Sequence, residues 1–283
     1  MQLRFRNQEL QQRIEESGYV TIPFLNHEQV ENLFALYQES AQDASGFHCT
    51  MFNPDKDYRR SVDAQIKGSI SDKLTELIEG ANMLYANFLV KEPGEESNFF
   101  VHQDWTYVDE SKSSSWAIWI PLIDTDLSNG ALHLVPSSHR MKNHFRGPGI
   151  ADALDGLHDI IRSEHGIAVN LKAGEAVIWD HRVVHYSPAN LSKDRRVAAT
   201  VILTPRGEKV IHCRATSNPL EVDIFDVNTE FYMNYEIDGI PASKPVKRFI
   251  IDSPVVTQSE FKQLIGISDK SEGIFSKVKS LFN

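Results

Sequence analysis

Two residues spaced two apart, His102 and Asp104, are the first in the chain whose types fit metal chemistry. They lie in residues 99–107, a run rich in aromatic and β-branched residues that predicts a strand. Side chains at i and i+2 of a strand point to the same face, so both could reach one metal ion. A His-x-Asp pair is expected about once by chance in a chain of this composition. A partly exposed histidine beside a surface aspartate is therefore an equal alternative for the pair alone.

A third ligand must come from another part of the chain. Residues 174–180 form a glycine turn followed by an apolar strand, and His181 and His185 come directly after it. Two histidines and one carboxylate leave open positions on a non-haem Fe(II) for a bidentate cosubstrate and O2. His185 and His181 are rival candidates for this ligand. If His181 does not bind the metal, the expected role of its ring is a hydrogen bond to the backbone. Arg195 and Arg196 then begin the next apolar strand and must face opposite sides of it.

Four local patterns, in this order, resemble the phytanoyl-CoA dioxygenase-like branch of the Fe(II)/2-oxoglutarate-dependent oxygenases. They are His102-Gln103-Asp104, residues 129–139, residues 174–180, and His185-x-Ser187 with Arg196 eleven residues after the histidine. Together they span roughly residues 15–205. Four ordered patterns coincide by chance far less often than one His-x-Asp pair does, so the resemblance identifies the chain as a member of this branch.

The resemblance implies a role for several residues and a set of cofactors. His102, Asp104 and His185 are similar to the family's iron ligands, with Fe(II), 2-oxoglutarate and O2 as the implied cofactors. Arg196 is similar to the residue that pairs with the distal carboxylate of 2-oxoglutarate, and a planar guanidinium suits that partner. Family positions that contact the cosubstrate or line the site are occupied by Ser187, Lys91, Gln103 and Trp119. A solvated lysine at the end of a strand is an equal alternative for Lys91.

The implied activity is hydroxylation of an unactivated C–H bond with release of succinate and CO2. The carboxylate of Asp104 favours oxygen transfer over halogenation, because related halogenases carry a small residue there. Three segments could shape the substrate pocket: residues 47–60, residues 105–112 and residues 139–166. Their mixed charges suggest a small polar substrate, such as an amino acid or a natural-product intermediate. The same metal site could instead serve desaturation, cyclisation, oxidative C–N cleavage or acyl-CoA hydroxylation. A cupin-like binding protein with an inactive site is the non-enzymatic alternative.

Strands and turns predict the scaffold that holds these residues. Short runs of β-branched and aromatic residues are separated by turn residues, which is typical of an antiparallel jelly roll. The predicted strands are 83–91, 99–107, 115–123, 131–135, 175–180 and 197–204. Asn26, with Gln29 three residues on, predicts the start of a helix that runs to about Ser40. Residues 41–68 read as irregular, and a further helix is expected over 71–79.

We therefore expect a mainly β fold with flanking helices around a double-stranded β-helix, or cupin-like, core. Residues 1–283 are interpreted as one domain: a mainly helical part (1–80), a catalytic core (81–205) with a lid-like insertion (139–166), and a C-terminal extension (206–283). Apolar residues from Ile274 to Phe282 recur at helical spacing and predict a short amphipathic helix. That helix would dock on the body of the protein or on a second subunit, which leaves a homodimer open.

Composition limits the partners and the cellular compartment. The chain of 283 residues has 29 basic and 39 acidic residues, a net charge of −10, which disfavours binding to nucleic acid. No apolar run is long enough to predict an integral membrane protein, and residues 1–13 contain no apolar stretch typical of a secretory signal. Two cysteines cannot form a disulfide framework, so we expect a cytoplasmic protein acting on a small molecule.

Overall fold

The computed structural model describes residues 2–40, 44–141, 145–236, 239–252 and 255–267. The described part of the chain contains six α-helices: α1 (Gln8–Ser17), α2 (His27–Ser40), α3 (Lys56–Leu77), α4 (His158–Ile160), α5 (Thr229–Met233) and α6 (Gln258–Leu264). Within these ranges no helix is long and apolar enough to cross a membrane. The amphipathic helix expected over 274–282 lies outside the described residues, as do Lys142 and His144 of the insertion.

Fifteen strands pair antiparallel throughout the described ranges. The strands are β1 (Arg4–Phe5), β2 (Tyr19–Pro23), β3 (Phe47–Cys49), β4 (Ile78–Glu79), β5 (Ala81–Lys91), β6 (Phe99–His102), β7 (Trp116–Pro121), β8 (Leu132–Leu134), β9 (Ile167–Val169), β10 (Glu175–Asp180), β11 (His185–Ser187), β12 (Arg196–Pro205), β13 (Val210–Ala215), β14 (Glu221–Val227) and β15 (Lys247–Ile250). One sheet has the order β2-β10-β7-β12-β5-β3, and a second has the order β6-β11-β8-β9. β1 pairs with β4, and β13-β14-β15 form a three-stranded sheet.

The eight strands from β5 to β12 form a jelly roll. Successive strands lie alternately in the six-stranded and the four-stranded sheet, except that β8 and β9 both lie in the four-stranded sheet. β6 and β11 are therefore neighbours in the smaller sheet although about 80 residues separate them. This order confirms the predicted double-stranded β-helix core.

Strand alternation divides the buried side chains into two cores. On β12, Val197, Ala199, Val201 and Leu203 face the helices, whose apolar side chains pack against that side of the larger sheet. The intervening residues face the space between the two sheets, where Trp119, Trp179 and Leu134 also lie. β12 is buried along its whole length and is apolar at most positions, and it presents one charged residue, Arg196, to the interior.

The local predictions for strands and for α2 agree well with the structure. Asn26 and Gln29 exchange side chain to backbone hydrogen bonds of 2.9 and 3.0 Å, which confirms the capping box at the start of α2. The strand expected over 99–107 was too long: β6 ends at His102, so Asp104 lies beyond it.

The irregular segment expected over 41–68 was wrong in its second half. α3 begins at Lys56, where the side chain of Asp55 accepts from the backbone N–H of Asp57 and of Tyr58. Its apolar stripe is narrow, since only every fourth residue is buried and apolar: Val62, Ile66, Ile70 and Leu74. The many charged residues between them hid the helical period. The helix expected over 71–79 is the last part of α3, followed by β4.

Candidate active site

His102, Asp104 and His185 converge at one end of the space between the sheets. The Cα atoms of His102 and His185 are direct cross-strand partners on β6 and β11, and the ring centroids are 4.1 Å apart. One Oδ atom of Asp104 lies 4.0 Å from Nε2 of His102 and 3.8 Å from Nε2 of His185. The three candidate ligand atoms all lie within 4.8 Å of one another. This spacing is what a single ion bound between them needs.

The two imidazoles are oriented by their own backbone. Nδ1 of His102 lies 2.9 Å from the carbonyl oxygen of Phe100, and Nδ1 of His185 lies 3.0 Å from that of Val183. A proton on each Nδ1 leaves the lone pair of each Nε2 directed toward the cluster. Burial, with the neighbouring His185, lowers the pKa of His102 to about 3, and burial lowers the pKa of His185 to about 4. Both rings are therefore neutral at pH 7, the form that binds a metal.

Asp104 is held although it lies beyond the strand. Nε1 of Trp179 donates to its second carboxylate oxygen at 2.9 Å, which leaves the first oxygen facing the histidines. The backbone of Asp104 donates from its N–H to the carbonyl of His181 and accepts from the guanidinium of Arg146 at 2.8 Å. Two neutral imidazoles and one oriented carboxylate form a nitrogen and oxygen donor set that suits a non-haem Fe(II).

Arg196 supplies a buried cation to the same cavity. It is 1% exposed, its guanidinium lies 5.2 Å from the Trp119 ring, and one of its nitrogens donates to the carbonyl of Gly130 at 3.3 Å. Its Nε has no hydrogen-bond partner, and in the described ranges no carboxylate pairs with it. Burial lowers its pKa to about 9, so it remains charged at pH 7. A buried guanidinium of this kind is a binding site for a carboxylate.

The other residues predicted to bind the cosubstrate have different surroundings. Ser187, Gln103 and Trp119 line the cavity with the histidines and Arg196. The side-chain amide of Gln103 donates a hydrogen bond to the backbone carbonyl of Arg182, so this donor is engaged within the protein. Lys91 is fully buried and does not line the cavity; its ammonium donates to three carbonyls, those of Ser97, Ser187 and Pro188.

The two rival residues face other environments. Nδ1 of His181 lies 2.7 Å from the hydroxyl of Ser115, and His181 is not part of the metal-ligand cluster found in the described residues. Arg195 points to the opposite side of β12 from Arg196 and pairs with Glu92 at 3.2 Å. The alternation of side chains along β12 therefore separates the two arginines as expected.

The cavity that contains the cluster has a volume of about 450 Å³ and is lined mainly by apolar and aromatic side chains. Residues 47–60 and 139–166 were expected to shape the pocket, and they supply Phe47, Met51, Phe52, Ile150 and Leu154 to the lining. Other lining residues were not assigned from the sequence, and they include Tyr85, Asn87, Leu89, Phe99 and Phe100. Tyr85, Asn87 and Leu89 alternate along β5, so the strand period alone could have placed them on one face.

The protein has a jelly roll with two histidines, one aspartate and a buried arginine between its sheets. These features place it in the class of cupin-like folds with a site for a metal and a carboxylate. The family model described as phytanoyl-CoA dioxygenase (PhyH) matches residues 15–198. The chain therefore belongs to the phytanoyl-CoA dioxygenase family, as the four sequence patterns predicted.

Curated relatives match about two fifths of the chain. A phytanoyl-CoA dioxygenase of Arabidopsis thaliana is 28% identical over 120 residues, covering 41% of this chain and 42% of that protein. A phytanoyl-CoA dioxygenase domain-containing protein 1 homologue of Dictyostelium discoideum is 30% identical over 108 residues, covering 36% and 38%. The alignments thus span less than half the length of these relatives.

Solved structures share the fold at low sequence identity. The carbocyclase SnoK of nogalamycin biosynthesis, described as α-ketoglutarate dependent, superposes with a TM-score of 0.54 at 22% identity, covering 73% of this chain and 86% of SnoK. EvdO2 from Micromonospora carbonacea var. aurantiaca, complexed with 2-oxoglutarate, gives 0.51 at 20% identity, covering 70% and 91%. The similarity to both structures supports the cupin-like jelly roll.

Proposed function

We propose that the protein is an Fe(II)/2-oxoglutarate-dependent dioxygenase that oxidises a C–H bond of a small molecule. One observation carries the proposal: the His102, Asp104 and His185 cluster and the buried, unpaired guanidinium of Arg196 line the same cavity. A metal site alone would fit many functions. The added cation selects a cosubstrate that reaches the metal at one end and carries a carboxylate at the other, as 2-oxoglutarate does.

Each group in the cavity has a defined part in this proposal. Bound Fe(II) and 2-oxoglutarate supply the activation of O2, with succinate and CO2 as co-products. His102, Asp104 and His185 would hold the metal, and Trp179 keeps the carboxylate of Asp104 turned toward it. Arg196 would pair with the distal carboxylate, beside Ser187 and the Trp119 ring. The apolar lining excludes water from the reacting atoms, which limits side reactions.

The experiment that tests the proposal measures succinate formed from 2-oxoglutarate. We expect the full chain with Fe(II), ascorbate and O2 to release succinate, at a rate raised by substrate, and we expect His102→Ala to abolish the release. Succinate release by His102→Ala at the rate of the unaltered protein would overturn the ligand assignment. The absence of any Fe(II)-dependent binding of 2-oxoglutarate in a calorimetric titration would instead support the cupin-like binding protein.

The chemical outcome is proposed as hydroxylation. Product masses distinguish it from its alternatives: hydroxylation adds one oxygen atom, whereas desaturation and cyclisation each remove two hydrogens. Oxidative C–N cleavage would yield two fragments. The carboxylate of Asp104 argues against halogenation, and the product masses decide among the remaining outcomes.

We also propose that the protein is cytoplasmic and acts on a small molecule. Cys49 and Cys213 are both free thiols, which suits a reducing cytoplasm. The substrate is proposed to be a small molecule and not a nucleic acid, given the net charge of −10. Formation of a homodimer and the single-domain division of the chain stay predictions.

A further inference from the structure

The histidine, acidic and basic side chains that line the cavity are already engaged. They are His102, Asp104, Arg146, Asp152, His185 and Arg196 among the described residues. Three of these would hold the metal, and Arg196 would pair with the cosubstrate. Only Arg146 and Asp152 are left to meet a charged substrate.

Both remaining groups have partners within the protein. Two nitrogens of Arg146 lie 2.7 and 2.6 Å from the two carboxylate oxygens of Glu110, and both side chains are largely buried. One oxygen of Asp152 accepts from the N–H of Leu154 at 2.9 Å, and the other lies 2.7 Å from Nε2 of His158. The Arg146–Glu110 pair is largely buried, so an anionic substrate would have to break it or leave its own charge unpaired, and either is costly in an apolar site. The side chains of Asp152 and His158 are 46% and 37% exposed, so this solvated pair offers a cationic substrate little that water does not.

Aromatic rings lead from the protein surface to the metal cluster. The centroids of Phe47 and Phe99 are 4.3 Å apart, and those of Phe99 and Phe100 are 4.8 Å apart. Phe99 then meets His102 edge to face at 4.8 Å. Phe100 lines the cavity and is nonetheless 56% exposed. When an apolar ligand covers a large apolar side chain at the rim of a cavity, the free energy of the complex falls, which favours binding.

A second group of rings lines the cavity from other elements. Phe52 is 39% exposed and lies 6.3 Å from Tyr235, which in turn lies 5.4 Å from Trp105. Phe52 and Trp105 both line the cavity, and so do the aliphatic Ile150 and Leu154 of the insertion. Flat faces and aliphatic side chains bind flat or extended hydrocarbon groups by contact area, with no charge to satisfy.

We infer that the substrate is an uncharged, predominantly apolar molecule with a flat face, bound between these rings with its reacting carbon near His102. The inference rests on the proposed function and replaces the polar substrate expected from the charges of the sequence. It excludes free amino acids, which carry two charges. It also excludes coenzyme A thioesters whose phosphates would have to enter the cavity.

Three probes of one shape test the charge preference. They are 2-(2-naphthyl)ethanol, 2-naphthylacetate and 2-(2-naphthyl)ethylamine, titrated calorimetrically into the full chain loaded with Ni(II) and 2-oxoglutarate, so that no turnover occurs. We expect the alcohol to bind about tenfold more tightly than either charged probe, since each charge would enter the cavity unpaired. Equal or tighter binding of a charged probe would overturn the inference, and so would the absence of binding by all three.

A variant at the rim tests the location without relying on the metal. We expect Phe100→Ser to weaken binding of the alcohol about threefold or more in the metal-free chain, because the ligand loses apolar contact. Leu191→Ser is the matched control, since Leu191 is 65% exposed and does not line the cavity. Identical affinity in Phe100→Ser and the unaltered chain would contradict the inference. Failure to bind Ni(II) and 2-oxoglutarate would contradict the proposed function alone.

Discussion

Arg195 and Arg196 are chemically identical neighbours with opposite environments. Arg196 faces the cavity without a carboxylate partner, whereas Arg195 faces outward and pairs with Glu92. Strand alternation is the cause, because successive side chains point to opposite faces. The pair provides a test of the cosubstrate site in which the chemical change is the same at both positions.

We predict that Arg196→Gln raises the KM for 2-oxoglutarate about 100-fold, since a bidentate, charged hydrogen bond in a buried site is lost. Succinate formation as a function of 2-oxoglutarate concentration measures it. Arg195→Gln is expected to leave this KM within about twofold, because Arg195 pairs with Glu92 on the side of β12 that faces away from the cavity. Equal increases in the two variants would show that Arg196 does not hold the cosubstrate.

Trp179 affects the metal site through a single hydrogen bond to Asp104. We predict that Trp179→Phe lowers the affinity for Fe(II) roughly 10-fold to 100-fold, because the carboxylate loses the donor that orients it. Titration with Fe(II) under anaerobic conditions measures the change. Trp116→Phe serves as the control, since its Nε1 donates to Ser114, away from the cluster. An unchanged affinity in Trp179→Phe would mean that the backbone alone orients Asp104.

At the scale of elements, the connection between β11 and β12 joins the candidate metal ligand His185 to Arg196, the proposed cosubstrate arginine. Ser187, the last residue of β11, and Pro188, the first residue of the connection, accept hydrogen bonds from Lys91 through their carbonyls. Its centre is held by Asn190, which donates to the carbonyls of Lys91 and Asp194. Lys91 thus acts on the site by fastening this connection to the end of β5, which accounts for its burial without contact to the cavity.

We predict that Lys91→Met lowers the free energy of unfolding by about 2–4 kcal/mol, because three buried carbonyls lose their donor. Urea unfolding measures it. Lys193→Met, on the exposed part of the same connection, is expected to change it by less than about 0.5 kcal/mol. Unaltered stability of Lys91→Met would show that the carbonyls find other donors. A KM for 2-oxoglutarate that rises in Lys91→Met, with kcat preserved, would fit a positioning role.

At the scale of the whole molecule, the C-terminal strands pack behind the wall of the cavity. His212 of β13 is 1% exposed and is surrounded by Trp105, Phe231, Tyr232 and Tyr235. Trp105 follows the candidate metal ligand Asp104 in the chain and lines the cavity. Burial lowers the pKa of His212 to about 4, with Arg214 adding to the effect. The packing of this extension against the core therefore requires a neutral imidazole.

We predict that acid destabilises the protein through His212. The unfolded chain takes up this proton near pH 6.5 and the folded chain near pH 4, so stability falls as the pH falls between these values, by roughly 3 kcal/mol at most. Urea unfolding at pH 7 and at pH 4.5 measures the loss, which His212→Phe should reduce. His27→Gln, on the exposed surface of α2, should leave the loss unchanged. An equal loss in His212→Phe would assign the acid sensitivity to other groups.

Local patterns predicted the residues of the candidate site and the strands that carry them, but not the surroundings of those residues. The glycine turn, apolar strand and histidine around His185 are continuous in the chain, and so is the period that puts Arg196 inward. Residues 47–60 were expected to shape the pocket, and Phe47, Met51 and Phe52 line it. Which of their side chains face the cavity depends on the pairing of β3 with the edge of β5, which no local pattern encodes. The first part of α3 was not predicted, because its buried apolar residues are too few among the charged residues to produce a clear helical period.

The sequence by itself determined the donor set for a metal, the inward-facing arginine and the strand rhythm of a jelly roll, because each depends on residue type and spacing over a short range. Only the tertiary structure decided that Lys91 fastens a loop, that Glu110 neutralises Arg146, and that aromatic residues from distant segments enclose the cavity. These depend on contacts between residues far apart in the chain, which no local period encodes. The substrate that we propose is apolar, and not polar as the sequence suggested, for that reason: the sequence shows which charges exist, and the fold decides which of them are already paired.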